Sequence, residues 1–352
     1  MLTMSVCVFV MTKTTKHVLI AIAVFLGLGI LTTLWAVHEI LSPNFHPDQK
    51  AYIYIRPETN EAAILDQLRT NGRARSLVGW KLLRMIVGCT PRTGRYAIEP
   101  DDATLTVLRR LRNGQQEPVQ LTLPSIRRLH RLAGLLSQKL MLDSATVADA
   151  FSDSCFAAQW GYTCSTLPAL FIPNTYEIYW NTPLETFMQR MQRENKRFWE
   201  SEGRDAAAKA LGLSREEVIT LASIVDEETA YTPEKPRIAG VYLNRLKQQM
   251  PLQADPTVKF ATGNDTLRRI LGHHLRLQSP YNTYINKGLP PGPIRIPSVA
   301  GIDAVLRAER HDFLYFCAKE DFSGSHNFAR NFAEHKQNAR RYQRALNTRG
   351  IK

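Results

Sequence analysis

At 352 residues, with 44% apolar and 22% charged side chains, the chain is long enough for two modest domains with real cores and is excluded from the disordered class. Its 45 lysines and arginines outweigh 32 aspartates and glutamates. The resulting formal charge of +13 either attracts an acidic surface (anionic lipid, nucleic acid or an acidic glycan polymer) or is simply a basic solvated surface. No zinc finger, Walker loop or aromatic-and-glycine RNA-binding signature accompanies the basic residues, so no nucleic-acid partner is expected.

Residues 1–10, MLTMSVCVFV, carry little information, and Met1, Met4 and Met11 are all open as translation starts. From Val18 to Val37 the run VLIAIAVFLGLGILTTLWAV holds no charged residue over 20 positions. As a helix it reaches about 30 Å, the thickness of a bilayer's hydrocarbon core. Lys13 and Lys16 precede it and no acidic residue occurs before Glu39. The positive-inside rule then predicts a cytoplasmic tail at 1–17, a single transmembrane helix at 18–37 in the cell inner membrane, and everything beyond about residue 38 on the periplasmic side. A cleaved signal peptide is the competing reading, but its apolar core is usually shorter, and LTTLWAVHE lacks a small-x-small cleavage site.

After the polar linker SPNFHPDQ, the segment AYIYIRPETNEAAILDQLRTNG reads as a strand leading into a helix that ends at Gly72. The order repeats, with a strand around Gly94-Arg95-Tyr96-Ala97-Ile98 and then a helix in DDATLTVLRRLRNG, apolar at Leu105, Leu108 and Leu111 and ending at Asn113-Gly114. Residues 49–119 are therefore expected to form a small α+β subdomain. From Leu129 the pattern turns helical, interrupted by LPALFIPNTYEIYWNTP, and MQRMQRENKRFWESEGRD reads as a solvated helix face. The expected fold class is α+β, with a single N-terminal transmembrane helix, the small subdomain, and a larger mixed helical and β domain at 120–350. The five cysteines, Cys7, Cys89, Cys155, Cys164 and Cys317, have no metal-ligand spacing, so no metal or other cofactor is expected. Cys155 and Cys164 either close the short loop CFAAQWGYTC or stay as a pair of buried thiols.

Ser214 followed by Glu217 is a capping box, and Val218, Leu221, Ala222 and Val225 continue from it at helical spacing, giving one apolar face. Glu228 falls seven positions beyond Leu221, almost directly over it, whereas Glu227 points away and is expected to be solvated. Asp226 lies on the other margin of the stripe and stays a competitor. A carboxyl pressed against an apolar wall loses hydration and keeps its proton near neutrality, as a general acid requires. A glutamate so placed is more often a partly exposed residue or one half of an ion pair, so helical phase alone assigns no catalysis.

The ordered set LASIVDEETA, VYLNRLKQQMPLQADPTVKF, SPYNTYINKGLPPGPI and YFCAKEDFSGSHNFARNFAEH resembles the endolytic murein transglycosylases of the YceG-like family over nearly the whole chain, with the core motifs at 214–335. In that family the acidic residue just before the Thr is the essential one, a position held here by Glu228. Gln253, Asp255 and Thr257 match the family loop, while Ala254 stands where Thr is common, and Asn174 replaces an Asp in FIPNTYEIY. The strand and helix order of residues 49–119 resembles the LysM-like subdomain that precedes certain peptidoglycan-cleaving enzymes. LTLPSIRRLHRLAG departs from the family's Ile-Pro-Glu-Gly stretch, so no role carries over to Ser125.

The resemblance implies a lytic mechanism in which Glu228 protonates the oxygen between N-acetylmuramic acid and N-acetylglucosamine. The same residue, as carboxylate, then takes the proton of the muramic C6 hydroxyl, leaving a 1,6-anhydromuramic end without consuming water. Gln253 and Asn282 offer amides to the sugar, Tyr281 and Tyr284 offer stacking faces, and Asp255 and Thr283 complete the tentative substrate set. Asp255 before Pro256 serves equally well as a turn former. His326 and His335 are left out of the catalytic set. The expected partners are peptidoglycan glycan strands, the membrane and, by resemblance alone, peptidoglycan synthases whose nascent strands the enzyme would terminate. Two other readings stand beside this one: a muramidase-like hydrolase pairing Glu228 with Asp255 or Asp226, and a non-catalytic scaffold that grips glycan.

Overall fold

Twenty-nine residues, Lys13–Leu41, form α1, a helix long and apolar enough to cross a membrane, none of whose side chains is buried against protein. The structure, a computed structural model, describes residues 13–350 apart from Cys89 and Arg268. Cys7, Cys89 and the three candidate start methionines therefore lie outside the described residues. The chain divides into two compact units, Met1–Pro118 with Tyr179–Asn181, and Val119–Ile178 with Thr182–Lys352.

In the first unit α1 is followed by β1 (Ala51–Ile55), α2 (Glu61–Thr70), α3 (Val78–Val87), β2 (Gly94–Ile98) and α4 (Thr104–Asn113). The antiparallel pair β1–β2, in register from Ala51 opposite Ile98 to Ile55 opposite Gly94, turns Ile53, Ile55, Tyr96 and Ile98 inward. These meet Ile64 and Leu68 of α2, Trp80 and Leu83 of α3, and Val107, Leu108 and Leu111 of α4 in one core. Asn60 caps α2 by accepting a hydrogen bond from the Ala63 N–H at 2.9 Å, and α4 stops at Gly114, whose positive φ suits a helix end. The two predicted strand and helix pairs are present. Between them lies α3, which sequence reading missed because it has no side-chain cap and is apolar on two faces.

The second unit runs through β3 (Val119–Leu123), α5 (Leu129–Lys139), α6 (Ser144–Ser152), α7 (Ser154–Gln159), β4 (Asn174–Ile178), α8 (Leu184–Glu200), α9 (Arg204–Leu211) and α10 (Arg215–Glu228). It continues with α11 (Lys235–Lys247), α12 (Asp255–Ala261), α13 (Val299–Leu306), β5 (Tyr315–Ala318), β6 (His326–Ala329) and α14 (Phe332–Thr348). β3 pairs antiparallel with β4, and β5 with β6. α8 covers the run expected as a solvated face; its charges do face solvent, but Phe187, Met188, Met191, Asn195 and Trp199 are buried. The Asn195 amide donates to the Ala169 and Leu170 carbonyls. Cys155 and Cys164 are free and exposed, so they are neither bonded nor buried.

α10 is the axis of the larger core. The expected capping box is present, with Ser214 Oγ accepting from Glu217 N–H and the Glu217 carboxylate accepting from Ser214 N–H. Every residue from Val218 to Val225 is buried, so the helix has no solvent side over two turns. Ser223 is tolerated there because its hydroxyl donates to the Thr220 carbonyl at 2.7 Å and accepts from the Ile294 N–H at 3.0 Å.

On α11 the backbone comes so close to its neighbours that a Cβ on Gly240 would meet the Glu309 carbonyl oxygen and the His311 ring. Alanine's helix propensity favours Gly240→Ala by about 1 kcal/mol. Overpacking against backbone costs about 1–3 kcal/mol, and the clash is expected to win. Chemical denaturation of the whole chain should give a lower midpoint for the variant, and an equal or higher midpoint would mean that the 309–311 segment yields.

Candidate active site

α10 ends in three consecutive carboxylates, each in a different environment. Asp226, its side chain 4% exposed, accepts from Lys235 Nζ at 2.6 Å and from the backbone N–H and hydroxyl of Ser298 at 2.5 and 3.0 Å. Both its oxygens are engaged at the start of α13, and Gly301 leaves room for them, since a Cβ there would run into the carboxylate. The competitor that helical phase left open is thus tied into the fold. Glu227 corrects an expectation: its side chain is only 10% exposed, not solvated. Arg127 grips it with Nε at 2.7 Å and with Nη2, and Arg295 Nη1 approaches at 2.8 Å. Ser125, assigned no role, accepts from Arg295 Nε at 2.9 Å and so steadies that clamp.

Among the described residues, no salt bridge is made to Glu228. Its Oε1 accepts a 2.6 Å hydrogen bond from the Tyr242 hydroxyl, one helix away on α11. Burial pushes its carboxyl up to about 7. The Tyr242 hydrogen bond and Arg245 pull it down, while Asp255 and Glu227 add to the rise, and desolvation prevails. Burial also drives the Tyr242 phenol far above its usual range, so it remains a donor. Arg245 is itself buried, held by the Leu314 and Leu252 carbonyls at 2.6 and 2.7 Å.

Glu228 and Asp255 line two adjoining hollows. The larger, about 530 Å³, is walled by Arg127, Glu227, Pro256, Lys259, Leu267, Arg269 and Ile270. The smaller, about 260 Å³, is walled by Tyr242, Arg245, Gln253, Tyr284, Tyr315, Phe316, Phe332 and His335, with Leu252 at its floor. One arm is basic and the other aromatic, and the near-neutral carboxyl belongs to both.

Of the tentative substrate residues, Gln253 and Asp255 are exposed in the cleft, Gln253 in the left-handed region at φ 50°. Asp255 opens α12 and accepts from the Tyr284 hydroxyl at 2.6 Å, combining its turn position with a place in the cleft. Asn282 and Thr283 are fully buried instead. The Asn282 amide donates to the Leu275 and Leu277 carbonyls, and Thr283 accepts from the Ala254 N–H and pairs with Thr257 Oγ1 at 2.8 Å. These two hold the loop against α12 rather than facing the cleft. Tyr281 packs on Phe260 with ring centroids 4.7 Å apart. His326 is tied to Glu234 at 2.6 Å, while His335 stacks on Tyr315 beside the aromatic arm. Sequence reading passed over Tyr242, Arg245, Arg127, Lys259 and Arg269; only Tyr242 carried a signal, a lone hydroxyl among the apolar positions of VYLNRL. Among the described residues, no group of three or more His, Cys, Asp or Glu side chains could hold a metal ion.

A single near-neutral carboxyl set in an open, two-armed cleft defines a candidate acid–base site for an elongated substrate. Residues 53–341 match the YceG-like family, and the chain belongs to that family. It is 36% identical over 162 residues to the endolytic murein transglycosylase of Bacillus subtilis (strain 168), covering 46% of this chain and 44% of that one. It is 30% identical over 281 residues to the endolytic murein transglycosylase of Streptococcus pneumoniae (strain ATCC BAA-255 / R6), covering 70% and 50%. The chain thus spans about half the length of the curated relatives it matches. The crystal structure of a yceG-like protein from Listeria monocytogenes superposes with a TM-score of 0.55 at 25% identity, over 82% of this chain and 99% of that one.

Because the folded carboxyl of Glu228 titrates near 7 against 4.5 unperturbed, the native state resists its ionisation. Its contribution to stability is complete below about pH 4.5 and is lost as pH rises to about 7. The loss amounts to about 3 kcal/mol at 1.36 kcal/mol per pH unit. Glu228→Gln removes this dependence, so the variant should gain on the parent by up to that amount between pH 4 and pH 8. A difference flat with pH in denaturant titrations would refute the shift. Asp226→Asn should behave oppositely, destabilising by about 3–5 kcal/mol because Lys235 is left buried without its counter-ion.

Proposed function

We propose that this chain is a membrane-anchored peptidoglycan lytic transglycosylase in which Glu228 is both acid and base. The observation that carries the reading is the Glu228 carboxyl, raised to about 7 at the junction of the two arms of the cleft while its two neighbours are locked in ion pairs. Family membership and the printed names of the relatives supply the substrate class.

With Tyr242 on Oε1, Oε2 carries the acidic proton toward the cleft. It passes to the glycosidic oxygen between N-acetylmuramic acid and N-acetylglucosamine as the bond from that oxygen to the anomeric carbon breaks. The resulting carboxylate, steadied by the Tyr242 hydroxyl, takes the proton of the muramic C6 hydroxyl as its oxygen closes on the anomeric carbon. Glu228 ends protonated as it began, the muramic end is a 1,6-anhydro ring, and no water enters. A carboxyl near 7 serves both directions at neutral pH, since neither the acid nor its conjugate base is far from half population. Gln253, Tyr284 and the aromatic arm would bind sugar on one side, and Arg127, Lys259 and Arg269 would meet acidic groups on the other.

On this reading α1 is a single-pass anchor in the cytoplasmic membrane with the cytoplasmic end at its N-terminus, and residues 49–119 are a LysM-like module preceding the catalytic region at 120–350. Tethering raises the concentration of the cleft around newly made glycan, which fits a role in ending nascent strands beside their synthases. The hydrolase alternative draws on Asp255, the one other carboxylate that shares both arms with Glu228. Product mass separates the two: lytic ends are lighter than reducing ends by one water.

Digestion of purified glycan strands by the full chain should therefore release anhydro ends, and reducing ends would favour the hydrolase. Glu228→Gln is expected to slow cleavage by about 10²–10⁴-fold; a variant as fast as the parent would remove Glu228 from catalysis. The parent's kcat/KM should fall about tenfold per pH unit above about pH 7, where the free enzyme loses its acid.

A further inference from the structure

α3 has a second apolar face that the described residues leave largely uncovered. Its inner side, Gly79, Trp80 and Leu83, is buried in the core of its unit. On the outer side Val78, Leu82, Met85 and Ile86 recur at i, i+4, i+7 and i+8 as one stripe, with Met85 and Ile86 75% and 76% exposed. A soluble helix rarely leaves two large apolar side chains this bare at the end of a continuous stripe.

The start of α3 is fastened to the end of α1. Gly79 lies so close to the Glu39 backbone that a Cβ would meet its carbonyl oxygen. Just before it, the Asn44 side chain donates to the Ser76 carbonyl at 2.8 Å and accepts from the Ser76 N–H at 2.9 Å. The stripe therefore begins where the uncovered apolar run of α1 ends. α3 contains no acidic residue; Lys81, Arg84 and Met85 share a shallow hollow of about 530 Å³ with Glu61 of α2, which pairs with Arg84 at 2.7 Å, so Lys81 is the cation that α3 offers to a partner.

We propose that α3 is an interfacial helix, its Val78–Leu82–Met85–Ile86 stripe seated in the head-group and acyl boundary of the bilayer that α1 crosses, with Lys81 reaching lipid phosphates. The proposal rests on the reading of α1 as a membrane span. Continuity with α1 selects a bilayer over a protein partner, and Lys81 beside the stripe suits lipid phosphates. Two attachments at fixed spacing would set the orientation of the first unit on the membrane, where a single span would leave it free to swivel.

The test uses the full chain in liposomes containing phosphatidylglycerol, with the native cysteines changed to serine and one cysteine at a time carrying an environment-sensitive fluorophore. Ile86→Cys reports on the stripe, Phe25→Cys on α1 and Tyr231→Cys on an exposed site of the other unit. Ile86 is largely exposed, so its replacement leaves the core intact. The label at 86 should emit to the blue of the label at 231 and be quenched several-fold more by lipids spin-labelled near the head group than by those labelled deep in the chain. The label at 25 should show the reverse depth preference. Lys81→Glu should weaken quenching at 86 in phosphatidylglycerol and leave it unchanged in phosphatidylcholine. If the label at 25 is quenched while that at 86 matches 231, the anchor stands and α3 faces water. If 86 is blue-shifted yet unquenched, a protein surface such as a second copy covers the stripe and the proposal falls. If the label at 25 is itself unquenched, the anchor reading fails and takes the proposal with it.

Discussion

The burial of α10 on every side over two turns is the constraint from which the site follows. A helix so enclosed cannot end in three ionised carboxylates unless each finds its own compensation, because a charge left bare in such a place costs several kcal/mol. Asp226 is compensated by Lys235 and the amide end of α13, and Glu227 by two arginines. Glu228 receives, among the described residues, a hydroxyl. With two of the three charges held in place, the third site is left to settle its charge by keeping a proton, and burial outweighs the Tyr242 hydrogen bond in deciding that it does so near neutral pH. The reactive group is therefore made as much by the clamps on its neighbours as by its own surroundings.

Those clamps were the part of the site that the sequence concealed. A helical wheel assumes that a helix has a solvent side, and on that assumption Glu227 points to water. α10 has no such side here, and the arginines that meet Glu227 lie 100 and 68 residues away along the chain. The capping box at Ser214 and Glu217 was legible because it is wholly local, whereas helical phase from Leu221 placed Glu228 on the apolar face without separating it from Asp226, a choice that rested on the motif resemblance. The same distinction explains Asn282 and Thr283. An amide and a hydroxyl in a polar loop read as sugar ligands, but a buried loop must first satisfy its own backbone, and Asn282 and Thr283 do that for the segments at 275–277 and 254–257. α3 escaped notice for the opposite reason. Its two apolar faces blur the single periodicity by which amphipathic helices are found, and it has no side-chain cap to mark its start.

The cleft joins parts that are far apart in sequence but braced together. Thr257 on α12 and Thr283 in the following loop share a hydroxyl–hydroxyl bond at 2.8 Å, and the same loop sends Tyr284 to Asp255. This bracing holds Asp255 where the two arms meet and Gln253 in the aromatic arm, the latter in a left-handed conformation that a well-fixed turn sustains at a residue with a side chain. The arms then differ in chemistry, aromatic on the side of α11, β5 and α14 and basic on the side of Arg127 and α12.

On the proposed reading Glu228 gives a proton and then takes one back, two opposed demands that its pairing with Tyr242 would reconcile. Too strong a donor set would hold the carboxylate ionised and abolish the acid. Too little would leave the conjugate base unsupported after transfer and drive it to recapture the proton before the ring closes. One phenol, itself pushed far from ionisation by burial, supplies a single hydrogen bond without a charge, which moderates the effect of desolvation and does not reverse it. The arrangement is held against the folding equilibrium: at neutral pH the protein carries a carboxyl whose ionised form the native state disfavours, in line with the general trade of stability for activity at functional sites. The compensating contacts lie close by, Glu227 with its two arginines one residue away and Asp226 with Lys235 two residues away, and neither set bonds to the Glu228 carboxyl.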